Sequence, residues 1–198
     1  MPGADRYELS LARIDAEHAQ DPERDAAGES RELVYARRMS AWLQRLEPAA
    51  SESLRLAVRC QHLRRWEIRR GDYPAGAGGY LQWRSAESAA HARLAGEILA
   101  ANGYEAAMVQ RVQSLIRKEK LKQDPETQLL EDATCLAFLE LQFAEFAAKH
   151  DEAKLLPILR KTWTKMSRKG REAALALELP GPLRAIVEKA VAPRGGDR

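Results

Sequence analysis

Apolar residues recur every three or four positions from one end of this chain to the other, and strict apolar–polar alternation is nearly absent. Elements patterned this way bury their apolar stripes against one another, so the expected fold is all-α. The 198 residues fit one domain over 1–192, with the Pro-Arg-Gly-Gly end, 193–198, as a flexible tail. Aromatic residues make up only 6% of the chain, too few for the core of a large sandwich or barrel.

Capping residues and breakers divide the pattern. A short amphipathic helix is expected over 5–18, and a second from Ser30 to just before Pro48. Ser51 is read as the cap of a third, with Leu54, Val58 and Trp66 on one face. Four glycines and a proline between Gly71 and Gly79 imply a long loop. Helices follow from near Leu81 to Ala101, stopped by Asn102-Gly103, and from Glu105 to Lys120. Pro125 opens a long helix that reaches Lys149, and shorter ones are expected over 152–168, 171–178 and 181–191.

Several function classes are excluded at this stage. No apolar run approaches the roughly 20 residues that cross a bilayer. Cys60 and Cys135 make no disulfide framework, and each lies in an apolar helical pattern as a buried free thiol, which fits a cytoplasmic location. The glycines at 76, 78 and 79 lack the Gly-Lys-Ser/Thr that completes a phosphate-binding loop. A net charge of +3 is too small to imply nucleic acid by itself.

The informative residues are polar ones set on apolar stripes. Leu136, Leu139, Phe143 and Phe146 form a core-facing seam, and four residues before it stands Asp132. A buried carboxylate needs a cation, a donor or water. His62 falls in register with Leu54, Val58 and Trp66, His91 with Leu94 and Ile98, and Glu119 with Met108, Val112 and Leu115. Two histidines and one or two carboxylates are the donor types that a zinc, manganese, iron or magnesium site takes. Singly, His62 and His91 are better read as hydrogen-bonded structural histidines, and Asp132, near a helix start, is accounted for by the helix dipole.

The order of these residues resembles the HD-domain phosphohydrolases, over roughly 34–150. Leu56-Ala57-Val58-Arg59-Cys60-Gln61-His62-Leu63 is similar to the helix that ends in that superfamily's His-Asp doublet. His91 resembles its additional histidine, and Leu130-Glu131-Asp132-Ala133 its distal metal aspartate. The resemblance implies a compact HD-like helical bundle, with His62, His91 and Asp132 holding a divalent metal and Glu119 as a substitute ligand. Leu63 stands in place of the doublet aspartate, and nothing suitable stands near Ala36 for the first histidine. A nearly full-length resemblance is to an uncharacterised bacterial and fungal domain family, carried by Leu63-Arg64-Arg65-Trp66-Glu67-Ile68, Gly79-Tyr80-Leu81-Gln82-Trp83-Arg84 and His150-Asp151-Glu152.

Charge supplies the competing reading. Arg55, Arg59, Arg64, Arg65, Arg69 and Arg70 surround His62, with Glu67 opposing them, and Trp66, Tyr73, Tyr80 and Trp83 interleave. Guanidinium forks bind phosphate and aromatic rings stack on bases. Two functions therefore compete: a metal-dependent hydrolase of a phosphoester or nucleotide, and a non-catalytic HD-like domain. The second binds a phosphate-bearing small molecule or RNA through Arg64, Arg65 and Arg84. A helical adaptor is a third. A second basic run, Lys154 to Arg171, follows an acidic helix and is expected to pair with it.

Overall fold

The computed structural model describes residues 3–192, so the expected tail over 193–198 lies outside the described residues. The described residues are helical throughout, with no strand; one isolated bridge, Arg24 to Ser30, closes the turn between the first two helices. The all-α expectation holds. None of these helices is long and apolar enough to cross a membrane.

Among the described residues ten α-helices follow one another: α1 (Gly3–His18), α2 (Arg31–Leu46), α3 (Glu52–Arg59), α4 (Gly76–Ala101), α5 (Ala106–Ile116), α6 (Pro125–Leu141), α7 (Phe143–Ala148), α8 (Glu152–Lys165), α9 (Arg168–Leu175) and α10 (Gly181–Val191). They fall into two units, Met1–Leu130 and Glu131–Arg198, with the division inside α6.

Local chemistry explains the starts. Ser30, Ser51 and Asp151 each accept a hydrogen bond from the backbone N–H three residues on, capping α2, α3 and α8. Gly103, at φ +80°, takes the left-handed position after α4.

In the first unit α2 packs on α3, α3 on α5 and α5 on α4. Met39, Leu43, Leu54, Leu56, Leu63, Leu99 and Leu115 are fully buried between them. Gly96 permits the close approach of α4 and α5. A Cβ there would stand 2.2 Å from Gln113 Nε2, which donates instead to the Ala92 carbonyl at 3.0 Å. In the second unit α8 packs on α10, burying Leu155, Leu159, Val187 and Ala190. Cys60 and Cys135 are buried free thiols, as expected.

Five boundaries differ from the sequence expectation. The third helix stops at Arg59, so His62 and Trp66 are not on its stripe; two 3-10 turns, Arg65–Glu67 and Arg70–Asp72, take over. Half of the glycine-rich loop is helical, because α4 begins at Gly76. Gly79 is required there, since a Cβ would meet the Pro74 carbonyl oxygen at 1.8 Å. The fifth helix stops at Ile116, leaving Glu119 off its stripe. The long helix breaks at Gln142 (φ −117°) into α6 and α7. In the second unit α9 starts at Arg168 rather than 171, because Ser167 caps it.

Candidate functional site

Helix ends build the site. Beyond α3 the chain reverses through His62 at φ 66° and Arg64 at φ 51°, both in the left-handed region that side chains other than glycine rarely adopt. The reversal puts the His62 ring inside the first unit, 5.1 Å from the Tyr35 ring and 6.0 Å from the His91 ring on α4. Gln61 donates to the Ile116 carbonyl at 3.3 Å, tying the turn to the end of α5. Immediately after that end, Lys118 is again left-handed, at φ 54°. Strained backbone of this kind concentrates at functional sites.

These three segments enclose a cavity of about 400 Å³. Gln61 and His62 supply one wall, Arg84, Ser85, Glu87, Ser88 and His91 of α4 a second, and Ile116, Arg117 and Lys118 a third. The volume lies in the range of small-molecule sites. Glu87 is the only carboxylate in the lining.

That carboxylate is 1% exposed and joins two cations: Arg65 Nε donates to Oε1 at 3.2 Å and Arg84 Nη1 to Oε2 at 2.6 Å. Burial raises the Glu87 carboxyl, and the two guanidiniums oppose that rise. For Arg65, burial works against the charge, but Glu32, Glu87 and Tyr35 outweigh it and raise its pKa. Both arginines also lie over the Trp83 ring, which is fixed by its own hydrogen bond to the Ile68 carbonyl at 2.9 Å.

The imidazoles are neutral. Burial, reinforced by Arg65, Arg84 and Lys118, holds His62 well below its ordinary value. Burial and the neighbouring His62, Arg65 and Arg84 push His91 down to about 2. One nitrogen of each ring, His62 Nδ1 and His91 Nε2, is sealed from water without a hydrogen-bond partner. The same is true of Glu32 Oε2, 3.6 Å from His62 Nδ1, and of His18 Nδ1, whose ring meets the Arg59 carbonyl through Nε2 at 2.9 Å. Buried polar atoms are almost always paired, so such a concentration marks a place built for more than packing.

The residues singled out from sequence are distributed unequally. His62, His91 and Arg84 line one cavity, and Arg65 braces it through Glu87. Arg64 lies outside the lining and donates to Glu17 at 2.6 Å. Glu119 is an exposed residue, accepting from Arg117 at 2.7 Å and Ser114 at 2.7 Å. Asp132 belongs to the second unit, where it is fully buried as expected. Its carboxylate accepts from the Ser167 backbone N–H at 2.8 Å and from the Ser167 hydroxyl. Among the described residues no group of three or more His, Cys, Asp or Glu side chains is arranged to hold a metal ion. Of the residues implied by the HD resemblance, His62 and His91 share the cavity of the first unit, Glu119 is exposed, and Asp132 belongs to the second unit.

Glu87 and Lys118 escaped the sequence reading. Glu87 had a usable signal, because it stands three residues after Arg84 and four before His91 on one helical face. Lys118 had none, because its place depends on where α5 stops. The expected pairing of the second basic run is seen inside the second unit, where Lys165 meets the buried Glu131 at 3.5 Å.

No curated protein and no solved structure matches the chain. A family model does, over residues 8–187, and the chain belongs to that family, the domain of unknown function DUF4202.

Proposed function

We propose that the cavity binds a phosphate-bearing small molecule and that the domain is a binding module rather than a metal-dependent hydrolase. The observation that carries this reading is the combination of Arg84, Arg117 and Lys118 with two neutral imidazoles around one carboxylate. A phosphate group entering there meets the Arg84 guanidinium and the Lys118 ammonium. The Ser85 and Ser88 hydroxyls offer further donors. Glu87 has the role of a brace: it holds the Arg84 guanidinium in the cavity wall and shares its own charge between Arg65 and Arg84.

The hydrolytic reading needs more ligands than His62 and His91. Its other two nominees are otherwise engaged, Asp132 with Ser167 and Glu119 with Arg117 and Ser114.

The test is calorimetric titration of the chain with inorganic phosphate and with ribose 5-phosphate, at low salt, with and without EDTA. Binding is expected to survive EDTA, to weaken with added salt, and to fall by about tenfold to a hundredfold in Arg84→Ala. Binding or turnover that appears only with an added divalent metal would overturn the reading.

A further inference from the structure

We infer that the ligand is a nucleotide and that Tyr80 is the stacking platform for its base; the inference rests on the phosphate reading of the adjoining cavity. Inorganic phosphate alone leaves most of a 400 Å³ cavity unfilled, so the anion is one end of something larger. The direction in which that larger body extends is set by α4.

Along α4, Tyr80, Arg84, Glu87 and His91 follow one another at intervals of four, three and four, which places them on a single face. The last three line the cavity. Tyr80 is the next position outward, one turn or about 6 Å along the axis from Arg84. The Tyr80 side of the face is open to solvent: Tyr80 is 45% exposed and its neighbour Leu81 67% exposed, the largest exposure among the big apolar residues described. The separation between the cationic wall and this ring is of the order of a ribose phosphate.

The platform is braced as a stacking surface needs to be. The Tyr80 ring sits 5.7 Å from that of Trp83 at an interplanar angle of 55°. Trp83 in turn is fixed by its hydrogen bond to Ile68 and lies beneath the guanidiniums of Arg65 and Arg84. The start of α4 cannot yield easily either, because Gly79 is in tight contact with Pro74 and Arg70 donates to the carbonyls of Tyr73 and Pro74 at 3.0 and 2.9 Å. A base laid on Tyr80 covers ring that is exposed. Stacking on a ring face is tolerant of base identity.

Equilibrium binding of ribose 5-phosphate and of adenosine, guanosine and uridine 5'-monophosphates tests the inference, followed by calorimetry and by tryptophan fluorescence. Each nucleotide is expected to bind more tightly than ribose 5-phosphate, by about five- to a hundredfold, and to perturb the tryptophan emission. Tyr80→Ala is expected to erase that advantage while leaving ribose 5-phosphate affinity unchanged, and Tyr80→Phe to preserve it. Equal affinity for ribose 5-phosphate and nucleotides, or an equal loss of both in Tyr80→Ala, overturns the base site and leaves the phosphate reading standing. Failure of all the phosphates, inorganic phosphate included, overturns both.

Discussion

The ring of His62 lies 6.0 Å from the ring of His91, and each presents a nitrogen that neither water nor a hydrogen-bond partner reaches. One ring comes from a left-handed turn and the other from the middle of a 26-residue helix, so the pair exists only because α3 ends where it does.

This pair makes stability depend on pH. Unfolded histidine titrates near 6.5, whereas burial holds His62, His91 and His18 lower in the folded chain. Below pH 6.5 the unfolded chain therefore binds more protons, and stability present at neutral pH is lost as pH falls. Each group contributes at most about 1.4 kcal/mol per pH unit. Glu32 and Glu87, whose carboxyls are raised by burial, act with the opposite sign just above their ordinary range, so the histidine effect is cleanest between pH 7.5 and about 5.5. Denaturant midpoints across that interval are expected to fall for the wild-type chain and to fall less for His91→Gln. Parallel curves would show that the ring at 91 does not resist protonation.

Glu87 separates stability from binding. Replacing it by Gln removes the charge that holds Arg65 and Arg84 together in a residue only 1% exposed. Both arginines keep some access to water, so the expected cost is about 2 kcal/mol rather than the full cost of stranding a buried charge. The cavity also loses its only carboxylate, and phosphate affinity is expected to rise. Urea unfolding and phosphate titration of Glu87→Gln read the two effects independently. A loss of both stability and affinity would indicate that the brace matters more than the charge.

Helix existence was legible in the sequence because it depends on local signals. Ser30, Ser51 and Asp151 cap helices that begin where their side chains say they should. The ends of α3 and α5 were not legible, since apolar spacing continues through His62, Trp66 and Glu119 although the backbone has turned left-handed between them. Those two ends are what place His62 and Lys118 in the cavity wall. Asp132 was read correctly as a buried carboxylate needing donors, but spacing along α6 cannot tell a metal from the Ser167 N–H and hydroxyl that hold it.

Gly170 tests that holding arrangement inside the second unit. A Cβ at this position would stand 2.6 Å from both Cγ and Oδ1 of Asp132, closer than real Cβ atoms come. Asp132 is fixed by Ser167, which also caps α9 through the Gly170 N–H at 3.0 Å, so neither partner yields without loosening the other. Gly170→Ala is expected to destabilise the chain by about 1–3 kcal/mol in spite of alanine's higher helix propensity. Thermal unfolding measures it, and a stabilised variant would mean that α9 moves away from Asp132 at little cost.

The left-handed lysines after α5 provide the sharpest separation of fold from function. Lys118 at φ 54° and Lys120 at φ 57° hold a conformation that costs an ordinary residue about 1–2 kcal/mol and glycine almost nothing. Glycine also has more freedom to lose on folding, which cancels part of the gain. Lys120→Gly is therefore expected to leave stability unchanged or raise it by up to about 1 kcal/mol, with phosphate affinity retained, because Lys120 does not line the cavity. Lys118→Gly is expected to behave alike in unfolding and differently in binding, since it takes a cationic side chain out of the cavity wall. Phosphate titrations of the two variants at matched ionic strength decide the matter. A strained backbone kept at Lys118 for the sake of its charge gives weaker binding in that variant alone, and equal affinities would assign the strain at 118 to folding and remove Lys118 from the site.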